Sequence, residues 1–311
     1  MGRERGMALV LAMLVVALAA TAAAAAAWRG QVAVRRTELV VQRLQAAEYA
    51  RAAVAWAGRI LARDRDEGPV DHPGEDWARR LPPLAVEGGA VSGYIEDMQG
   101  RLNLNNLVDE EGRPREAEVE RLRRLLRVLE LDPALADAVV DWIDPDTEPH
   151  GTGGAEDETY GAMDPPYHAA NGPMQGIAEL ALVAGFDAET RRRLAPHVTA
   201  LPEPTPVNVN TATPEVLRSL ADGIDADTAR ALVEARGAEG WDRVETFLRA
   251  PPLAGLGLRA DGLAVGSAYF LVHAEARVGR TAVRQRTLLH RGDDGRVRVV
   301  AAGRGGLPWP G

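Results

Sequence analysis

No charged residue falls between Arg5 and Arg29, and helical patterning then runs on without a break to Arg63. The uncharged run of about 23 residues rises about 1.5 Å per residue, giving a helix of roughly 34 Å, enough to cross the hydrocarbon core of a bilayer. Residues 31–63 contain no Pro, and Gly30 and Gly58 are the only glycines from there to the end of the pattern. A continuous helix of about 55 residues, apolar in one half and amphipathic in the other, exceeds what ordinary globular helices reach. The competing reading is a cleaved secretory signal with an Ala-rich tail; the apolar run is longer than a usual signal core, and no break follows it. The pattern predicts a membrane-crossing half at 7–28 and an amphipathic half at 29–64. Arginines lie on both sides of the span, so their distribution does not by itself orient it.

At 311 residues the chain has room for such an anchor and one or two globular units. Its formal charge of −9 disfavours a polyanion as main partner, since phosphate recognition needs clustered positive charge. With no Cys there is neither a disulfide nor a thiolate metal site. A His-x-x-x-His metal pair, a Gly-x-Ser-x-Gly elbow and a phosphate-binding Gly loop are also missing, so nothing in the sequence points to catalysis.

Beyond the helix, glycines and prolines at 68–83 break the pattern. Alternation predicts short strands at 84–86 and 91–97 around Gly88-Gly89. Residues 116–131 place Val119, Leu122, Leu125, Leu126 and Leu129 on one helical face, and Asp132-Pro133 is expected to cap a further helix to about Trp142. Residues 144–173 read as a long structured loop, and helical patterning returns at 177–184 and 188–195. Strand signals reappear at 269–278, 281–289 and 296–301, with Asp293-Asp294-Gly295 as a hairpin turn. The order implies an α+β fold: a long helix packed on an antiparallel sheet that is interrupted by a helical insertion at about 102–258. Asn103-Leu104-Asn105-Asn106 and Asn208-Val209-Asn210-Thr211 echo each other, which suggests two related helical subdomains.

The loop at 141–164 concentrates acid: Asp141, Asp144, Asp146 and Glu148, then Glu156, Asp157 and Glu158, with glycines and prolines between them. Calcium takes six to eight oxygen ligands from such flexible acidic loops. A loop this long is uncommon unless something orders it. The bland reading is a solvated acidic loop. Zinc is disfavoured because His150 and His168 are the only nitrogen donors nearby.

Residues 208–247 also resemble the helix-hairpin-helix module of DNA receptors. Its hairpin normally carries two glycines around an apolar residue and binds phosphate through backbone N–H groups. Here it reads Asp222-Gly223-Ile224-Asp225-Ala226-Asp227, and the three carboxylates would repel phosphate.

The leader Met1-Gly2-Arg3-Glu4-Arg5-Gly6 precedes the apolar run. Further on come 96–107 (Glu-Asp-Met-Gln-Gly-Arg-Leu-Asn-Leu-Asn-Asn-Leu), Asp141-Trp142-Ile143-Asp144-Pro145-Asp146, Gly154-Ala155-Glu156-Asp157 and Pro206-Val207-Asn208-Val209-Asn210-Thr211-Ala212. In this order the chain resembles the minor pseudopilin K family of type II secretion systems, within the type IV pilin superfamily. The resemblance covers essentially the whole length. It implies a leader of residues 1–6, cut by a prepilin peptidase between Gly6 and Met7. It also implies a pilin-type α+β unit from 65–101 and 259–311, and an inserted SAM- or helix-hairpin-helix-like domain at 102–258.

The expected setting is the bacterial inner membrane, crossed once, with a periplasmic C-terminal domain. The expected partners are the I and J minor pseudopilins, H below them, and the major pseudopilin; nucleic acid is not expected. The family binds calcium in the acidic loop, which implies ligands among Asp141, Asp144, Asp146, Glu148, Glu156 and Asp157. A disulfide that commonly supports this loop has no counterpart here. Most pilins carry Glu at the fifth mature position, thought to pair with a neighbour's N-terminal amine; here Leu11 stands there, as in the K family, which fits a subunit at the fibre tip. The alternatives are a minor pilin of a type IV pilus and a membrane-anchored DNA-uptake receptor.

Overall fold

The computed structural model describes residues 2–80 and 82–304. The side chains of residues 2–6 and 304 lie outside that description, as do Met1, Leu81 and residues 305–311. The leader expected at 1–6 and the end of the unit expected at 259–311 are therefore only partly covered. Helix α1, Gly2–Glu67, is unbroken over 66 residues. Its apolar half is exposed, whereas Ala46, Ala50, Val54, Ala57 and Leu61 are buried at intervals of three and four. That spacing puts them on one face, and the small alanines let the helix lie close to a sheet.

Strands β1 (Leu84–Val86) and β2 (Gly89–Asp97) follow. The chain then makes four two-residue strands, β3 (Leu102–Asn103), β4 (Val198–Thr199), β5 (Val207–Asn208) and β6 (Leu263–Ala264). It returns with β7 (Tyr269–Val278), β8 (Thr281–Arg291) and β9 (Val297–Arg304). The main sheet is antiparallel in the order β1-β2-β7-β8-β9. Phe270, Val272, Ala274 and Ala276 of β7 pack against the buried face of α1. Trp77, from a 3-10 turn at Asp76–Ala78, closes this core edge-on to Phe270, with ring centroids 5.3 Å apart.

Between β2 and β7 the chain builds a second core. Helices α2 (Glu116–Val128), α3 (Leu135–Ile143), α4 (Asp157–Gly161) and α5 (Ala188–Leu194) are followed by α6 (Pro214–Ser219), α7 (Ala226–Arg236) and α8 (Val244–Leu248). Leu122, Leu125 and Leu126 of α2 meet Val139 and Trp142 of α3 in a hydrophobic cluster separate from that under α1.

Several elements differ from the sequence expectation for local reasons. Helix α2 stops three residues early because Glu130 takes a left-handed conformation (φ 52°) and the Leu131 N–H donates back to Leu126 O at 2.8 Å. Asp132 does not cap α3; its Oδ1 accepts from the Ala134 N–H at 2.9 Å, and the helix starts at Leu135. Residues 177–181 form a 3-10 helix, and the loop expected over 144–173 contains α4.

The Asn echo has a structural counterpart. β3 pairs in parallel with β4, and β5 pairs in parallel with β6. In each case an Asn ends the first strand and its Oδ1 accepts an N–H two residues on, from Asn105 (3.2 Å) and from Asn210 (2.9 Å). Each pair thus opens a helical lobe with the same turn.

Candidate functional site

Asp141 lies in α3 and Asp144 caps its C-terminal end, three residues apart and so on one face. Glu156 is the N-cap residue of α4. One oxygen from each of the three carboxylates lies within 4.8 Å of the others. Exposures of 0%, 2% and 4% make this a buried triad. Asp141 is held by the backbone, accepting from the His150 N–H at 2.8 Å and the Ala155 N–H at 2.6 Å. Gly154 permits this wrap: a Cβ there would sit 2.6 Å from Asp141 Oδ2.

Asp144 Oδ1 and both oxygens of Glu156 have no hydrogen-bond partner. Unpaired buried carboxylates are expensive, so such groups hold protons or a cation. Burial, with Asp146 and Asp141 adding repulsion, pushes the Asp144 carboxyl up to about 7. Burial, with Asp141 and Asp144 adding, also lifts Glu156 to about 7. Burial raises Asp141 as well, against its two backbone N–H donors. A carboxylate at a helix C-terminus is further disfavoured by the helix dipole, and Asp144 sits there. Three oxygen donors with unused lone pairs fit a hard divalent cation.

The structure does not bring the other expected ligands into this cage. Asp146 is exposed and its Oδ1 accepts the Glu148 N–H at 2.8 Å, closing a turn on the rim. Glu148 is exposed. Asp157 turns away toward His168 Nδ1 (2.8 Å) and the Ala169 N–H (3.0 Å), contacts that lower its pKa. Proximity in sequence and the family resemblance were the signals for these three; the chain changes direction between α3 and α4 and leaves them outside the buried triad.

A second acidic group has its cation built in. Asp64, Asp71 and Glu75 also approach within 4.8 Å of one another. Here Arg291 reaches Asp64 Oδ2 at 2.7 Å and Asp71 Oδ2 at 2.6 Å, its side chain only 1% exposed. Sequence reasoning missed this group, because 227 positions separate Asp64 from Arg291.

Along α1 the expected processing position, Gly6–Met7, lies within the helix, and Leu11 is 61% exposed on its apolar half. The side chains before Met7 lie outside the described residues. Among the described residues this is the one helix long and apolar enough to cross a membrane. Higher up, Tyr49, Ala52, Trp56 and Ile60 line one wall of an apolar groove of about 400 Å³, with Leu84 and Tyr94 opposite. The 222–227 hairpin is a self-capped helix start: the Asp225 side chain accepts from the Thr228 N–H at 2.8 Å, where a phosphate would otherwise sit.

A family profile described as type II secretion system (T2SS), protein K, first domain, matches residues 100–203. A second profile, also described as type II secretion system protein K, matches residues 207–266. The boundary falls between the two Asn-led lobes. The type II secretion system protein K of Pseudomonas aeruginosa is 38% identical over 322 residues, covering 99% of this chain and 95% of the relative. That of Klebsiella pneumoniae is 35% identical, covering 99% and 98%. A chain of the solved GspK-GspI-GspJ complex from enterotoxigenic Escherichia coli superposes with a TM-score of 0.78 at 28% identity, covering 87% of this chain and 99% of that one.

The fold and these relatives define a component of a bacterial type II secretion apparatus, of the pseudopilin kind. The chain belongs to the type II secretion system protein K family.

Proposed function

We propose that this chain is the minor pseudopilin that caps the type II secretion pseudopilus, and that it starts fibre growth together with the I and J minor pseudopilins. The observation that carries this reading is the shape of the chain: a bare rod topped by a separate helical core. The rod's exposed side offers Trp56 and the adjacent groove to neighbouring helices. The second core, built between β2 and β7, supports this reading as a bulky head that would block the stacking of another subunit above. Leu11 supports the same placement, since a subunit with no axial neighbour needs no Glu to neutralise that neighbour's amine. The apolar half of α1 would hold the chain in the inner membrane with the sheet and head in the periplasm, after cleavage between Gly6 and Met7. The role is structural rather than enzymatic.

In this reading calcium binds Asp141, Asp144 and Glu156, tying the end of α3 to the start of α4. The ion supplies positive charge to three otherwise unpaired oxygens; the protein supplies a wall closed by Asp141's backbone contacts. The solved K-I-J complex of the Escherichia coli relative supports the choice of partners.

The test is co-purification of the full-length chain in detergent with the I and J components from the same cell, with calcium and with chelator. A ternary complex is expected. Failure to form one in either condition would overturn the tip assignment.

A further inference from the structure

The head joins the rod through one buried polar junction, and its charges do not balance. Arg291, at the end of β8, donates from Nη1 to Leu61 O (3.3 Å) and Asp64 Oδ2 (2.7 Å), both on α1. From Nη2 it donates to both oxygens of Asp71 (2.6 Å each) and to Ser267 O (2.9 Å). Ser267 lies where the chain leaves the helical insertion; its N–H donates to Asp71 Oδ2 at 2.7 Å and its Oγ to Asp97 Oδ2 at 2.7 Å. Asp97, at the end of β2 where the chain enters the insertion, also accepts from Asn208 (3.0 Å), Thr211 (2.5 Å) and the Gln99 N–H (2.8 Å). Asn208 reaches the Asp71 carbonyl as well, at 3.1 Å.

Two buried carboxylates, Asp64 and Asp71, thus share a single guanidinium, while the third, Asp97, is met only by neutral donors. The insertion contributes only neutral donors, Asn208 and Thr211. Among the described residues, Arg291 is the one guanidinium that reaches Asp71. Around it, Asp64 and Glu67 come from α1, Glu75 and His72 from the linker, Asp97 from β2 and Arg291 from β8. Glu75 is itself held by the Trp77 Nε1–H at 2.7 Å. A buried negative charge without a counter-ion is costly, and the smallest counter-ion is a proton.

We propose that Asp71 and Asp97 share one proton in the clasped junction, and that giving it up loosens the attachment of the helical head to the rod. Burial pushes the Asp71 carboxyl up to about 7 against the pull of Arg291, and burial raises Asp97 against its four donors. Ser267 bonds both carboxyls, and the charge on Asp97 raises Asp71, so the two titrate as a pair. When the junction opens, both acids regain water and ordinary values near 4, so opening below pH 7 releases the proton. The clasp is therefore tightest in acid, weakens as pH rises toward 7, and is at its loosest above it. This device is independent of the tip assignment.

The test is hydrogen exchange on the full-length chain in detergent at saturating calcium, from pH 5 to 8.5, read as protection factors. Peptides spanning 97–101 and 265–270 report the junction; those spanning 148–156 report the carboxylate cage and separate the two sites. Junction protection is expected to fall by up to about tenfold per pH unit between pH 5 and 7 and to level off above, the slope of a single linked proton. Asp97→Asn is expected to abolish the slope. Wild-type protection that stays flat from pH 5 to 8 overturns the proposal without any variant, and so does a slope that survives in Asp97→Asn.

Discussion

Glu156→Gln is expected to stabilise the chain in chelator and to erase its response to calcium. In the cation-free protein above pH 7, Glu156 is ionised next to Asp141 and Asp144 with neither of its oxygens bonded. Lifting its carboxyl from 4.5 to about 7 corresponds to roughly 3 kcal/mol against the ionised form. The three acids share that repulsion, so removing one charge should recover about 1–2 kcal/mol. With calcium a hundredfold above its dissociation constant, the wild-type chain should gain about 3 kcal/mol if the ion binds only the folded form; the variant should gain little. The two proteins should therefore exchange rank between chelator and calcium. Thermal unfolding followed by tryptophan fluorescence at pH 8 reads this, with Trp142 beside the cage as a local reporter. The pH sense follows from the same values. Folded-state acids raised above their unfolded values cost nothing below about pH 4, and in chelator stability falls as pH climbs to about 7. Calcium is expected to reverse that trend. If Glu156→Gln destabilised in chelator, or kept the full calcium response, the cage would not be a cation site.

Trp56→Glu is expected to leave thermal stability within about 0.5 kcal/mol, since the side chain is half exposed, while reducing recovery of I and J in co-purification. Leu11→Glu places an unpaired carboxylate in the span at a cost of about 2.5–3.5 kcal/mol; in-cell crosslinking should show the variant either poorly inserted or paired with an N-terminal amine along the shaft. Arg291→Met leaves Asp64 and Asp71 without their cation and should cost about 3–5 kcal/mol at pH 8 and clearly less at pH 5, where the acids can protonate. Denaturant titration at the two pH values checks the difference.

The rod and the sheet were legible because their signals are local. Alternation placed β1 and β7 at their observed bounds, and Ala46, Ala50, Val54, Ala57 and Leu61 of α1 recur on one face. Part of the cage was legible for the same reason: Asp141 and Asp144 share a helical face. Glu156 was named with them from the acidic loop and the family resemblance, but the path by which the loop doubles back between Asp144 and α4, which selects it over its neighbours, is not encoded in composition. Asp146 and Asp157 have the same residue type and neighbourhood in sequence, yet face solvent or His168. The Arg291 junction was not legible as a site, since Asp64, Asp71, Asp97 and Arg291 come from separate segments and each alone reads as an ordinary surface charge. Residues 177–181 carry helical periodicity but close as 3-10 turns, a difference of hydrogen-bond register that side-chain pattern does not resolve.

The two crossings between sheet and insertion are laced to each other. Gln99 Oε1 accepts from the Ala268 and Tyr269 N–H groups at 2.7 and 3.2 Å, and the Met98 N–H donates to Tyr269 O at 3.0 Å. Departure and return therefore sit side by side, like the two ends of a loop tied at its neck. The pairing of β2 with β7 is thus held at the neck itself, by bonds between residues in or next to the two strands, and not by the span of chain in between.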